Sequence, residues 1–382
     1  MNEKKITIRD PIHGEIDLFE HEAKIIDLEI FQRLRNIKQV GLSYLVYPGA
    51  HHTRFEHSLG SLFLAQKFAI ALDLKKEERY LLRLVALLHD LGHLGFSHDS
   101  EAVLIKNLKL NHEDLTKEFV LNSDIIEIVE DNGFNKKKLL GLLDGKDIGK
   151  LISFDVGADR LDYLLRDAYY TGVAYGIIEW ERVISTTKWV GEPIIEFGGI
   201  EAAESVILAR FSMFHTVYYH HAIRIARAMF QKALELAIKN KEIGLEELKK
   251  FGDLELLFDL RNNESSRTFV DSILKRKLFK RAFVQSWEKL NKKQKEFAKT
   301  KLIAELEEEF GSDALAIFPE SFSSTITLKA EDGNNKIYPF KVLSPLTASL
   351  IKTSAKRANL LICAKKEIVE KVKKKCQMLF KL

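Results

Sequence analysis

The chain has 382 residues, 46% hydrophobic, 30% charged and 10% aromatic, with 24 phenylalanines. That much apolar material excludes intrinsic disorder, and the length implies two or three folding units at roughly 150 residues each. The formal charge of +4 is too mild an excess to argue for or against nucleic acid. Cys363 and Cys376 are the only cysteines, which excludes a disulfide framework and a CxxC metal knuckle. Met1 to Asp10 carries no apolar core of a signal peptide. The longest apolar run, Leu81 to Leu88, is interrupted by Arg83 and is far too short to span a bilayer. A reducing cytoplasm is the expected compartment.

Prolines stand at positions 11, 48, 193, 319, 339 and 345, so none interrupts 49–192, where the composition suits a succession of helices. After the turn signal Pro48-Gly49, Thr53 and Glu56 form a capping box, and Phe55, Leu59, Leu62, Ala69 and Leu72 follow at helical spacing. Lys75 to Asp90 starts polar and becomes almost wholly apolar, the pattern of a buried helix, with Gly92 placed to end it. A third helix is expected from Asp155 to Thr171, closed by Gly172. From Ile200 to about Ala298 the pattern stays helical, with a hinge near Gly252-Asp253. Beyond Gly311 the texture changes. Ser324 to Leu328 alternates as a strand does, Asp332 to Asn335 reads as a turn and Tyr338 to Val342 as the partner strand. A helix over Thr347–Lys356, a short strand over Leu360–Cys363 and a last helix over Lys366–Phe380 complete a helical body with a small α+β appendage.

Seven of the twelve histidines fall between His51 and His112. His89-Asp90 ends the most apolar helix, where an unpaired carboxylate is costly to desolvate and a bound cation offsets that cost. The free carbonyls of a helix C-terminus favour positive charge as well. The alternative is a hydrogen-bonded His-Asp cap. On the Asp155 helix, Asp159, Tyr163 and Asp167 share one face at i, i+4 and i+8, with Arg160 beside them. Here the alternative is an exposed face stapled by Asp162 and Arg166. Two histidines and two carboxylates with open positions suit Mn, Fe, Zn or Ni better than an all-oxygen Mg or Ca site, and open positions are what hydrolysis needs. Glu101 and His112 offer a carboxylate–imidazole acid/base pair, and His93 and His98 supply further phosphate donors.

The string Tyr47-Pro-Gly-Ala-His-His-Thr-Arg-Phe-Glu-His57-Ser58, the run His89-Asp-Leu-Gly-His93 with Phe96-Ser-His98, and Asp159-Arg-Leu-Asp-Tyr163 with Arg166-Asp167 resemble the dNTP triphosphohydrolase branch of the HD superfamily. Asp10-Pro-Ile-His-Gly14 and Phe31 to Gly41 are also similar, and the likeness spans roughly residues 8 to 225. The resemblance implies a mainly α fold, an HD-domain helical bundle with a small C-terminal α+β subdomain. Its parts would be a phosphohydrolase core over 1–225, a helical extension over 226–311 and the α+β part over 312–382.

By position, the resemblance makes His57, His89, Asp90 and Asp159 ligands of one divalent metal, Mn, Fe, Zn, Ni or Mg. Arg54, His93 and Arg160 would contact phosphates. His98, Glu101 and His112 would be the catalytic acid/base group, and Gln39, Tyr163, Asp167 and Tyr219 would hold the deoxyribose. The implied reaction cuts dNTPs at the α-phosphorus, giving deoxynucleoside and triphosphate. Asp27, Gln32 and Arg35 stand where the family reads a guanine nucleotide between subunits, which implies a GTP, GDP or dNTP activator and a homodimer or homotetramer. The alternative for that trio is a solvated helix face. Phe211 stands near a phosphate-binding arginine of the family, with Arg210 adjacent, and Arg9 replaces an asparagine of the regulatory region. Two other readings stay open: the same centre acting on a dNMP, a cyclic nucleotide or (p)ppGpp, and a non-catalytic nucleotide- or nucleic-acid-binding scaffold suggested by the Lys-rich C-terminal region.

Overall fold

The structure is a computed structural model that describes residues 5–319 and 326–380. It divides into two units. The first takes Met1–Met213, Leu245–Leu256 and Ile326–Ala348, the second Phe214–Gly244, Leu257–Thr325 and Ser349–Leu382.

The first unit opens on an antiparallel hairpin, Lys5–Asp10 against Gly14–Phe19, which the sequence reading did not anticipate. Its turn is made by Asp10, whose Oδ1 accepts from the backbone N–H of Ile12 and His13 at 2.9 Å each, with Gly14 at φ +74°. Asp favours such turns because its carboxylate reaches backbone donors two and three residues on, and Gly takes the left-handed position without cost.

The centre of this unit is the helix Arg54–Ala71, packed against the helices Lys76–Leu88 and Ala158–Thr171. The expected capping box is present, with the Thr53 N–H donating to Glu56 Oε2 at 2.7 Å. Every residue from Leu81 to Leu88 is buried, Arg83 included. The arginine is tolerated because Glu22, itself buried, takes its Nε and Nη2 at 2.7 and 2.6 Å, satisfying a charge that would otherwise be stranded. This helix stops at Leu88 with His89 as its C-cap, before Gly92. The glycine serves close approach instead, since a Cβ there would collide with His112 O and Thr116 N. The third helix begins at Ala158 rather than Asp155 and ends as expected on Gly172 in the left-handed conformation, φ +73°. Asp155 is freed to anchor a distant segment, its Oδ2 accepting from Thr327 N at 2.6 Å and Leu328 N at 2.7 Å.

A four-stranded sheet in the first unit orders Thr187–Trp189, Pro193–Ile195, Lys329–Glu331 and Ile337–Pro339. The expected hairpin is therefore present with shifted bounds. Ser324 and Thr325 lie outside the described residues, 326–328 is not strand, and Phe340–Leu343 turns helical after Pro339. The turn between the strands closes through Asp332 N to Lys336 O at 2.9 Å.

In the second unit the long helix His221–Lys239 and the helix Arg267–Leu274 accompany a three-stranded antiparallel sheet. Its central strand, Asn359–Ala364, pairs with Ala314–Ile317 and Lys280–Ser286. The last strand falls in a stretch whose sequence pattern reads as helix. Ala282, Leu302, Leu306, Leu360, Ile362, Val372, Cys376 and Phe380 form this unit's buried cluster. The closing helix is Val369–Phe380. The mainly α reading with a C-terminal α+β part holds. Among the described residues no helix is long and apolar enough to cross a membrane.

Candidate active site

Three elements of the first unit deliver four side chains to one place. His57 projects from the first turn of Arg54–Ala71, His89 and Asp90 from the end of Lys76–Leu88, and Asp159 from the start of Ala158–Thr171. His57 Nε2 lies 3.2 Å from Asp159 Oδ1 and 3.4 Å from Asp90 Oδ2. His89 Nε2 lies 3.4 Å from Asp90 Oδ1 and 3.8 Å from Asp159 Oδ1. The other nitrogen of each ring is committed: His57 Nδ1 to the Asp162 carboxylate at 2.7 Å, His89 Nδ1 to the Ala86 carbonyl at 2.8 Å. Both partners accept only, so each Nδ1 carries a proton and, in the neutral ring, each Nε2 presents a bare lone pair. Both Nε2 atoms are buried without a hydrogen-bond partner. Four acceptors thus converge with no donor among them, which a divalent cation satisfies; one ligand atom each from His57, His89 and Asp159 falls within 4.8 Å of the others. Burial alone would depress His57, but the Asp159 and Asp162 carboxylates against it outweigh burial and raise its pKa to about 10, so a proton competes with a cation for Nε2. Burial likewise opposes ionisation of Asp90 and Asp159, yet Arg54 with the neighbouring imidazoles holds Asp90, and His57 with His89 holds Asp159, well below the usual carboxylate range.

Beside this cradle sits a second group. His112 Nδ1 donates to Glu101 Oε1 at 2.5 Å and His98 Nδ1 to Glu101 Oε2 at 2.9 Å, so one carboxylate bridges two imidazoles. His93 stacks on His112, centroids 4.1 Å apart at 13°, with its Nε2 3.4 Å from Asp90 Oδ1. Burial would lower His112, but Glu101 and Asp90 raise it, while Glu101 is depressed despite its own burial. His93 is driven well below its ordinary value by burial, then by Arg54 and His112. The two stacked imidazoles are thus pushed in opposite directions, the separation that acid/base work uses.

The other expected residues fall as follows. Arg54 is buried, its Nη1 on Asp90 and its Nε on Ser97 Oγ at 3.0 Å. Gln39 bonds His52 O through its backbone N–H at 3.0 Å, and its Oε1 is buried without a partner. Arg160 reaches Ser153 O and stands 3.9 Å from Asp155. Tyr163 is pushed up by burial amid Arg210, Arg160, Asp159 and Asp167. Asp167 accepts from His52 Nε2 at 2.7 Å, and His52 stacks on Tyr170. Arg210, not its neighbour Phe211, pairs with Asp155, at 3.6 Å. Tyr219 belongs to the second unit, where its N–H bonds Phe214 O at the end of a π-helical turn. Asp27 and Arg35 are exposed; Arg35 Nε donates to Gln32 Oε1 at 2.7 Å, and its guanidinium lies 3.5 Å over the Phe55 ring.

Reading Asp162 and Arg166 as an exposed staple fails. Both side chains are 0% exposed. Asp162 accepts four hydrogen bonds, from His13 Nε2, His57 Nδ1 and two guanidinium nitrogens of Arg166 at 2.7–2.9 Å. Sequence reasoning gave these residues no role in the site. The signal was the string Asp10–Gly14, similar to the family yet unexplained by surface chemistry.

An HD domain model matches residues 54–167 and an HD associated region model matches residues 178–382. The chain belongs to the HD-domain family. HD domains bind a divalent metal, and His57, His89 and Asp159 form a group here that could hold one. An uncharacterized protein of Methanocaldococcus jannaschii is 38% identical over 382 residues, covering 96% of this HD protein and 80% of that one. The deoxynucleoside triphosphate triphosphohydrolase SAMHD1 homolog of Dictyostelium discoideum is 30% identical over 309 residues, 72% of this chain and 59% of that one. A hypothetical protein from Aquifex aeolicus superposes with a TM-score of 0.79 at 29% identity, covering 98% of this chain and all of that one. The fold and the family are those of metal-dependent HD phosphohydrolases.

Proposed function

We propose that this HD protein hydrolyses deoxynucleoside triphosphates to deoxynucleoside and inorganic triphosphate, with residues 1–225 as the catalytic core. The observation that carries the reading is the acceptor cradle set beside a carboxylate-bridged imidazole pair; the relative of Dictyostelium named as a dNTP triphosphohydrolase supports the substrate class. His57, His89, Asp90 and Asp159 would hold one divalent ion, which supplies Lewis-acid polarisation of a phosphoryl oxygen and a more acidic water. Arg54, His93 and Arg160 supply donors to the phosphates, and such fixed donors in a dry site stabilise charge without reorganising. His112, whose pKa Glu101 raises, gives a proton from Nε2 to the departing 5′-oxygen, and His98 shares the same carboxylate. Gln39 brings a buried, unsatisfied amide oxygen that a sugar hydroxyl would complete, with Tyr163 and Asp167 as the remaining ribose contacts. Asp27, Gln32 and Arg35 form the regulatory guanine-nucleotide contact of a homo-oligomer; Arg35 is already oriented by Gln32 and by the Phe55 ring.

Ion-exchange analysis of products from each dNTP, with Mn or Mg and with or without GTP, tests this reading. Triphosphate and deoxynucleoside are expected. Pyrophosphate with dNMP would reassign the bond that is cut, and turnover only of mono- or cyclic nucleotides would reassign the substrate.

A further inference from the structure

The hairpin turn Asp10–Gly14 is a motif that the proposed chemistry leaves without work, and two of its side chains are buried where a surface turn would be solvated. His13 is 2% exposed and Asp10 2% exposed in their side chains. Asp10 has two duties. Its Oδ1 shapes the turn through Ile12 N and His13 N, and its Oδ2 takes Arg166 Nη1 at 2.8 Å. The turn so formed presents the His13 ring against Phe63, centroids 4.8 Å apart, with Nε2 2.7 Å from Asp162 Oδ1. On its other oxygen Asp162 receives His57 Nδ1 at 2.7 Å.

We propose that His13 is a positioning residue for the ion held by His57, acting through Asp162, so that the N-terminal hairpin sets the affinity of the metal centre. This rests on the reading of His57 as a ligand. A carboxylate that accepts the outer N–H of a ligating imidazole fixes its tautomer and ring plane and raises its basicity. For Asp162 to do this at one orientation, its second oxygen has to be held as well. Arg166 reaches both oxygens, but Arg166 is shared with Asp10. His13 is the donor that reaches Oδ1 from the hairpin, 149 positions away in the chain. The carboxylate's roughly four acceptor sites are then filled, in an interior where each unfilled site is costly. Gly60 completes the seat, because a Cβ there would fall 2.5 Å from Arg166 Nη2 and Asp162 Cγ. The Asp-Pro-Ile-His-Gly string thereby has a physical purpose: it carries a turn-forming carboxylate and a buried imidazole donor to the back of a metal ligand.

The test is Mn2+ affinity of the full chain, titrated against a competing chelator at fixed pH, with circular dichroism and the metal-free melting temperature as controls. His13→Phe keeps the stack on Phe63 and removes the donor; His13→Gln restores a donor. The wild type is expected to bind one equivalent. His13→Phe should weaken Mn2+ binding about 10–100-fold, and His13→Gln should recover most of the loss at an equal melting temperature, which a merely structural role would not produce. Wild-type affinity in a folded His13→Phe, or equal losses in both variants, overturns the role of His13 while leaving the ligand set standing. A wild type that binds no ion removes the ligand reading itself and this inference with it.

Discussion

Two glycines inside helices give substitutions of opposite sign. Gly60 sits mid-way along Arg54–Ala71, and a Cβ there falls 2.5 Å from Arg166 Nη2 and Asp162 Cγ, closer still to Asp162 Oδ1. Gly141 sits in Lys136–Leu143 with nothing nearer than Lys146 Cδ at 3.9 Å. Alanine improves an ordinary helix position by about 1 kcal/mol. At Gly141 that gain stands alone. At Gly60 it is outweighed, since prising apart a buried ion pair costs about 3–5 kcal/mol and overpacking about 1–3 kcal/mol. Gly60→Ala should therefore be destabilised by about 3 kcal/mol or more, a fall in melting temperature of about 6 °C at about 2 °C per kcal/mol. Gly141→Ala should rise by about 1–2 °C on the same scale. Scanning calorimetry of both variants beside the wild type reads this directly. A Gly60→Ala protein as stable as Gly141→Ala would refute the buried Asp162–Arg166 network.

His89→Ala/Asp90→Ala should keep the helical circular dichroism spectrum and lose both bound metal and turnover; metal analysis after dialysis checks it. The Glu101–His112 pair should make stability depend on pH from both sides. Glu101 is depressed from 4.5 in the folded chain, so its contribution is present above that value and lost as pH falls toward its folded value. His112 is raised from 6.5, so its contribution is complete below that value and lost as pH rises through its folded value. Urea melts of wild type and His112→Asn from pH 4 to 9 should therefore differ most between about 4.5 and 6.5; a constant difference would sink the pairing. Burial pushes both Cys363 and Cys376 up to about 12. Neither thiol should react with Ellman's reagent in the native protein, and both should react in denaturant.

Legibility of the sequence followed how local the deciding physics is. The capping box at Thr53, the buried run to Leu88 and the glycine stop at Gly172 are settled within one helix turn or two, and they appear as read. His57, His89, Asp90 and Asp159 are legible through motif resemblance, and the structure brings the four side chains together. Asp162 and Arg166 were misjudged because an i, i+4 acid–base pair has the same spacing on a wet face as in a core; only the hairpin and the helix crossing at Gly60 decide which. The strand Lys280–Ser286 is hidden for a similar reason, since its partner Asn359–Ala364 lies far along the chain and its exposed residues, Lys280, Arg281 and Val284, do not alternate with buried ones. Gly92 reads as a helix stop from sequence, whereas its constraint is the backbone of His112–Leu121 pressed against it.

The proposed metal centre draws four side chains from three segments of the chain onto one ion. Anomalous diffraction from crystals grown with Mn2+ measures it most directly. A single strong peak bounded by His57 Nε2, His89 Nε2 and the Asp90 and Asp159 carboxylates is the predicted result. Saturating Mn2+ that leaves this position empty, or a peak bound by other residues alone, would contradict it.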